Sequence, residues 1–529
     1  MNFPTNFPQP NEIFFKASLE VLENIKANNI MKVDILEGTI KRVSKSYKIN
    51  TIPQWVINWT YNHQDKIEIS KEGKECLMIK KVRSASGIVS VSVFTKPYPC
   101  PGTCIFCPTE KNIPKSYLSN EPAVMRAVRN KYDPVSQIKS RLDQLQYSGH
   151  NLDKIELIIQ GGTFSNLPRK YRESFVTACF AAVNGWPEIP KKNSFALLEE
   201  QENNEKAENR IIGLTIETRP DWINEEETKF LRALGVTRIE LGVQSINDNV
   251  LELNKRGHTA HEVVKATKLL KDAGFKVCYH MMPGLPGSTL QDDMNGIKEL
   301  FLNPAFKPDL LKIYPCVVTK LSELENWYQK GKFQPIGDRD LEELLIEIKK
   351  HVPPYVRIQR LGRDIPATDI IAGSKISNIR QKILSNKKVL CYCVRCREVK
   401  NKAIVNPKLR ITKYEASKGM EYFLEYINKD DDTLYSLLRL RIPSEDTVYD
   451  VIKDSAIIRE VHTYGKQIQI GKDGDIQHQG FGKLLIQKAE EIAKENGLKK
   501  ITVISGIGAR DYYSNLGYHL DNTYMIKEI

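Results

Sequence analysis

Between residues 88 and 314, short β-branched apolar runs alternate with amphipathic helical patterns, and this alternation constrains the fold more than any other feature. The runs fall at 88–94, 155–159, 211–216, 238–243, 277–281 and 310–314, with helical spacing over 225–234 and 261–273. Repeated β-α units return the chain to the same end of a sheet each time, so the strands run parallel, in an open sheet or a barrel. Ligand sites of such sheets form at the C-terminal ends of the strands. The pattern stops near residue 365. A different alternation begins near Tyr414, with strand-like runs at 435–441, 456–461 and 500–505 and a helix over 481–496. The expected organisation is an N-terminal helical segment (1–80, with Trp55 and Trp59 on one face), a β/α region (81–365), a basic linker (366–413) and an α+β domain (414–529). The acidic stretch 199–208 reads as a surface insertion.

Charge and cysteine usage narrow the function class. Hydrophobic residues make up 41% and charged residues 27% of the 529, which excludes a mainly disordered chain. No run of 18 apolar residues and no secretion-type N-terminus is present, so a cytoplasmic protein with no membrane span is expected. The net charge of +13 is concentrated: residues 375–413 hold twelve cations against Glu398 alone. A run this dense points to a polyanionic partner, the competing reading being a solvated face. Lys41, Arg42, Lys45 and Lys48 form a second, looser group.

Six of the ten cysteines fall in two tight triplets, which suit metal ligation better than disulfides. Cys76, Cys179, Cys278 and Cys316 stand singly in mostly apolar surroundings and read as core residues. Cys100, Cys104 and Cys107 form C-x3-C-x2-C directly after a strand. Three thiolates there hold three irons of a [4Fe–4S] cluster and leave the fourth open to a chelating small molecule. Zinc is the alternative, but zinc sites usually take four protein ligands, and no neighbouring His or Cys completes this one. Cys391, Cys393 and Cys396 form C-x-C-x2-C inside the basic run and read as zinc ligands, with His351 as a candidate fourth; the alternative is three reduced thiols. Near the C-terminus, 477–482 reads Q-x-x-G-x-G between a strand and a helix. There glycines let the backbone approach a pyrophosphate and free helix-start N–H groups bind it.

The first triplet, following the first strand of a β/α unit, resembles the radical S-adenosylmethionine (SAM) enzymes. The resemblance implies a partial (β/α) barrel and SAM bound by Gly161, Gly162, Glu217 and Gln244, all at strand ends. The 477–482 loop, with Tyr512, Tyr513 and Tyr518 downstream, resembles the GCN5-related (GNAT) acetyltransferases. It implies acetyl-CoA bound near Gln477, Gln479, Gly480 and Gly482, with Tyr512 or Tyr513 assisting at the CoA sulfur. Adjacent tyrosines point to opposite sides, so at most one of them does this. The two domains together are similar to the catalytic-subunit family of Elongator, in strings such as Met125-Arg126-Ala127, Arg219-Pro220-Asp221, Arg256-Gly257-His258-Thr259 and Val352-Pro353-Pro354. The length resembles the single-subunit archaeal or bacterial form.

That resemblance implies further acetyl-CoA positions at Lys154, Glu460, Val461, His462, Thr463, Ile476, His478 and Tyr513. It implies conversion of tRNA wobble uridine to 5-carboxymethyluridine, with a tRNA anticodon stem-loop and an electron donor as partners; the N-terminal helical segment, which precedes the stretch that carries the resemblance, is expected to bind tRNA. Two other readings compete. A protein lysine acetyltransferase with a structural cluster would leave SAM without a role. A non-catalytic RNA-binding module would not need intact Cys100, Cys104, Cys107, Gly480 and Gly482.

Overall fold

The computed structural model describes residues 12–30, 32–64, 67–79, 87–188, 196–363, 365–376, 378–385, 389–400, 402–465 and 480–529. Strands β1 (Val89–Phe94), β2 (Lys154–Gln160), β3 (Arg210–Thr218), β4 (Arg238–Gln244), β5 (Lys276–Met281) and β6 (Leu310–Ile313) follow in order. After the short β7 (Val318–Thr319) comes β8 (Arg357–Leu361), then β9 (Ile370–Ala372). The sheet order is β1-β2-β3-β4-β5-β6-β8, every neighbouring pair parallel. This is the partial barrel expected, a parallel sheet whose strands are apolar along most of their length. β7 and β9 pair antiparallel.

Among the described residues, four helices, Glu12–Ala27, Val33–Ser46, Gln54–Asn62 and Lys71–Leu77, precede the barrel and share a small core of their own, including Val21, Leu22, Leu36 and Ile57. Asn58 ties them to the barrel by donating to the carbonyls of Leu77 and Tyr147. Trp59 is buried here and stacks on His63, and Trp55 packs partly buried on the same core.

The second sheet has the order β10-β11-β12-β13-β14-β16-β15, built from Pro407–Ala416, Gly419–Asn428, Leu434–Ile442, Ser455–Thr463, Lys500–Val503, His519–Asp521 and Tyr524–Glu528 numbered in chain order. The helix Phe481–Glu495 packs on it through Leu485, Ile486, Ala489 and Ile492. This is the expected α+β domain, with an earlier start: β10 opens at Pro407, inside the segment expected as a linker. The rest of that segment is packed structure too. Ile379, Ile383, Val394 and Val399 lie in the main core, their few apolar positions obscured in sequence by the surrounding cations.

Part of the basic run is ion-paired, while Lys375, Lys400, Lys408 and Lys413 are exposed and Lys387 and Lys388 lie outside the described residues. Lys382 pairs with Glu342, Arg397 with Glu425, Lys402 with Asp431, and Arg410 with Glu425 and Asp432. Arg380 and Arg395 donate to the carbonyls of Ile358 and Gln359. The partners come from distant sequence, so a local charge count missed them. Residues 199–208 also differ from expectation. The helix Leu197–Lys206 buries Glu200, Gln201 and Asn204, and Asn204 accepts the Ile211 amide and so anchors the start of β3.

The second sheet docks against the N-terminal ends of the barrel strands. Gly274, before β5, packs against Ile457 and Ile504, and Gly506 packs so closely on Ile212 that a Cβ would overlap its carbonyl. At the centre of this interface lies a buried ionic cluster. Arg459 donates to Asp309 at 2.8 and 2.5 Å and to the Phe275 carbonyl; Lys271 reaches Asp309 and Glu421, both at 3.3 Å; Arg441 holds Asp272 at 2.6 Å and Glu421 at 3.1 Å. Burial raises the Asp309 carboxyl, but Arg459 and Lys271 more than offset it and hold it well below the usual range. Such a cluster survives burial only because every charge meets an opposite one.

Candidate active site

The chain leaves the C-terminal end of β1 into the loop that carries Cys100, Cys104 and Cys107. That loop faces a cavity of about 520 Å3 at the C-terminal strand ends. Gly162, Glu217 and Gln244 line the same cavity, so the sequence-chosen SAM residues and cysteines are brought together. Gly161 makes the turn after β2 at φ +138°, pressed so close to Thr95 that a Cβ would collide with its hydroxyl. Glu217 accepts from the Tyr117 hydroxyl at 2.6 Å and lies 3.8 Å from Lys312. Gln244 takes φ +71°, a strained backbone for a residue with a side chain, and its buried Oε1 has no hydrogen-bond partner among the described residues. An orphaned acceptor in a cavity is what a bound donor group would satisfy.

The sulfur geometry separates the two triplets. The Sγ atoms of Cys391, Cys393 and Cys396 lie within 4.8 Å of one another. That suits one ion, since Zn–S bonds of about 2.3 Å place tetrahedral sulfurs about 3.8 Å apart. Cys100, Cys104 and Cys107 are not among the described groups gathered that tightly. Burial, then the Cys104 charge, pushes the Cys107 thiol up to about 12.

His351 does not complete the second triplet. Its Nδ1 faces the Glu347 carbonyl one turn back in its own helix, at 3.0 Å. Residues two apart on a helix face different sides, and it is Lys349 that turns to the cysteines, its Nζ 3.4 Å from Cys396 Sγ. The four single cysteines are buried as expected. Cys278 nonetheless lies close to Glu240 and His280, in a group with metal-ligand spacing.

Several residues facing the cavity or the cysteine loop were not singled out in sequence. Glu240 accepts from His280 at 2.9 Å and contacts Lys312. Burial raises the Glu240 carboxyl, and Lys312 with His280 brings it well below the usual range. Arg256 Nη1 lies 3.3 Å from Cys104 Sγ, and Arg219 packs on Gly102. The available signal was a charge inside an otherwise apolar strand, as at Glu240 and Lys312. Arg219 and Arg256 carried none beyond the strings they stand in.

The acyl-CoA candidates gather at the other sheet. β14 pairs with β13 only from Ser455 to Ile458, so Glu460 to Thr463 have no partner strand on that side among the described residues. The helix starting at Phe481 points its first turn at this opening. Gly480 caps it at φ +74°, and a Cβ on Gly482 would meet the Tyr512 hydroxyl at 3.2 Å, Thr463 at 3.7 Å and Val461 at 3.9 Å. Ile476, Gln477, His478 and Gln479 lie outside the described residues.

The two tyrosines separate as adjacency implied. Tyr513 is buried in the domain core beside Tyr518, and burial raises its phenol. Tyr512 is 40% exposed, with its hydroxyl at the helix start. The His462 ring packs on Tyr464. Glu460 is locked by Arg439 at 2.8 Å and Lys276 at 3.2 Å. Lys154 opens β2 in register with Arg210, which itself lies 3.6 Å from Asp511, next to Tyr512. The barrel thus presents Lys154 at the end where the second sheet docks.

Sequence-family models agree with this division: the radical SAM superfamily matches residues 98–297, the Radical_SAM C-terminal domain 308–388 and the acetyltransferase (GNAT) family 420–518. A Methanocaldococcus infernus protein named tRNA uridine(34) acetyltransferase is 40% identical over 94% of this chain and 100% of its own length. Human Elongator complex protein 3 is 40% identical over 85% of this chain and 86% of its own. The chain belongs to the Elongator complex protein 3 family. A solved family structure, the archaeal Methanocaldococcus infernus Elp3 with N-terminus deletion (1-46), superposes with a TM-score of 0.74 at 39% identity, covering 84% of this chain and all of that one. As an Elongator complex protein 3 family member with radical SAM and GNAT domains, the chain implies a [4Fe–4S] cluster, SAM and acetyl-CoA as cofactors. Its cysteine triad at 391–396 has the spacing to hold a metal ion. Among the described residues no helix is long and apolar enough to cross a membrane.

Proposed function

We propose that this protein modifies the wobble uridine of tRNA to 5-carboxymethyluridine in the cytoplasm, using SAM, acetyl-CoA and an external one-electron donor. The observation that carries the reading is the coexistence, in one chain, of a cysteine-loop cavity at the C-terminal strand ends of the barrel and an opened strand pair with a glycine-capped helix in the sheet docked at the other end. Relatives named for tRNA uridine(34) support the substrate. When bound, the cluster and SAM would supply a 5′-deoxyadenosyl radical to take hydrogen from the acetyl methyl group; that carbon would bond to uridine carbon 5, the carbon-5 proton would leave with one electron returned to the oxidised cluster, and water would cleave the thioester to give the carboxymethyl group and free CoA.

The residues then have these roles. Cys100, Cys104 and Cys107 ligate the cluster; Gly161, Gly162, Glu217 and Gln244 shape the SAM site. The backbone of Glu460 to Thr463 and the Gly480–Gly482 turn receive the pantetheine and pyrophosphate. Lys154 contacts acetyl-CoA from the barrel side, and the Tyr512 hydroxyl faces the thioester sulfur. Cys391, Cys393 and Cys396 hold zinc. The anticodon stem-loop is met by the exposed Lys41, Arg42, Lys45 and Lys48 of the N-terminal helices.

The lysine acetyltransferase reading is disfavoured by Glu460. It is the one carboxylate in the open stretch of β13, and burial raises it, but Lys276 and Arg439 hold it well below the usual range. A carboxylate so stabilised is a poor base for deprotonating an ammonium. The test is incubation of anaerobically reconstituted protein with tRNA, SAM, reductant and acetyl-CoA, followed by nucleoside mass spectrometry. The expected product is 5-carboxymethyluridine, and acetylated protein without modified uridine would overturn the reading.

A further inference from the structure

Two guanidinium groups pack around the Cys100–Cys104 turn, and they differ in one respect. Arg219 is neutralised: Asp221 accepts from its Nε at 2.9 Å and its Nη2 at 2.8 Å. Arg256 has no carboxylate partner among the described residues. Its Nη2 donates to the Gly242 carbonyl and its Nη1 points at Cys104 Sγ, 3.3 Å away. The neighbouring His258 adds no opposing charge. Its imidazole is pushed down to about 4, first by burial and then by Arg256, so it is neutral at physiological pH. Arg256 is only 7% exposed, so this positive charge is poorly screened by water.

The backbone fixes the placement. Gly257 turns at φ +70° directly after Arg256, and the Arg256 amide bonds the Leu251 carbonyl. A buried, uncompensated cation aimed at a ligand sulfur is costly unless something anionic is bound beside it. A cluster held by three thiolates is such a group, and each electron it accepts adds negative charge. An N–H···S hydrogen bond and a full positive charge therefore favour the reduced form over the oxidised one.

We propose that Arg256 is a tuning residue that raises the reduction potential of the [4Fe–4S] cluster, making it easier for the electron donor to reduce. This rests on the assignment of Cys100, Cys104 and Cys107 as cluster ligands, and the test separates the two. The full chain is reconstituted anaerobically, its iron counted, and the cluster titrated electrochemically with EPR detection in the absence of SAM. Arg256→Met removes charge and donor at similar length; Arg256→Lys keeps the charge.

At the potential where the parent is half reduced, Arg256→Met should show a reduced-to-oxidised ratio at least tenfold lower, a shift of about 59 mV for one electron. Arg256→Lys should recover most of that shift. Full iron content with the parental potential in Arg256→Met overturns the proposal. So does a shift that appears only after SAM is added, which would make Arg256 a ligand for the SAM carboxylate. If Arg256→Met does not load, Arg256→Gln takes its place, and the predicted order of potentials is parent, Lys, Gln; equal values overturn the proposal. A parent protein that binds no iron would remove the cluster assignment itself, and this proposal with it.

Discussion

Asp293 shows how much a single carboxylate weighs in this barrel. It accepts from the Gly284 amide at 2.6 Å and from Ser288 at 2.7 Å, fastening the turn that follows β5. Burial nevertheless raises it to about 6. The folded chain therefore holds a proton that the unfolded chain releases near pH 4, and stability falls as pH rises between these values. The cost at neutral pH is roughly 3 kcal/mol, at about 1.4 kcal/mol per pKa unit. Asp293→Asn should melt higher than the parent at pH 7–8, with the gap closing toward pH 4; equal melting temperatures at pH 8 would contradict this. At the cluster, Cys104→Ser should reduce bound iron and stop 5′-deoxyadenosine formation while leaving the circular dichroism spectrum unchanged, because three thiolates leave none spare. Parental 5′-deoxyadenosine production would refute the assignment. These residues differ in legibility. The cysteines announced themselves by spacing, whereas Asp293 lies in an ordinary acidic helix start whose burial no local pattern reveals.

Among the elements, the parallel strands were the most legible, because each is a continuous apolar run. β10 was not: Pro407 to Ala416 alternates exposed and half-buried residues, many of them charged, and pairs on one side only. The packing of the 366–413 segment was obscured for a related reason, since the ion pairs it makes reach Glu342, β11 and the turn after β11 rather than local residues. The opening between β13 and β14 was also invisible in sequence, since it depends on β14 ending at Val503. The helix that faces it can be tested. Among the described residues no atom lies within 4 Å of a Cβ placed on Gly480, and Gly480→Glu adds charge and backbone strain at φ +74°. Acetyl-CoA affinity should fall tenfold or more by calorimetry, through repulsion of the pyrophosphate at the helix start, with tRNA affinity changed less than twofold. Unchanged acetyl-CoA affinity would remove this turn from the site.

Across the whole molecule, the cysteine-loop cavity opens at the C-terminal ends of the barrel strands and the second sheet docks at their N-terminal ends. Their relative position is set by the buried ionic cluster beneath the strand N-termini. No charge pattern along the chain reveals it, because its members come from residues 271 to 459 and each looks like an ordinary surface residue. Asp309→Asn should leave Arg439, Arg459 and Lys271 short of counter-charge and cost about 3–5 kcal/mol. Urea unfolding should then begin earlier and separate into two transitions as the barrel and the second sheet lose their coupling; one transition at the parental midpoint would argue against that role. The central claim is that both ends serve one reaction. It is tested most directly by supplying acetyl-CoA deuterated on the acetyl methyl group, with tRNA, SAM and reductant, and weighing the 5′-deoxyadenosine formed. The account predicts 5′-deoxyadenosine one mass unit heavier, formed in a tRNA-dependent reaction. Unlabelled 5′-deoxyadenosine alongside modified uridine would contradict it.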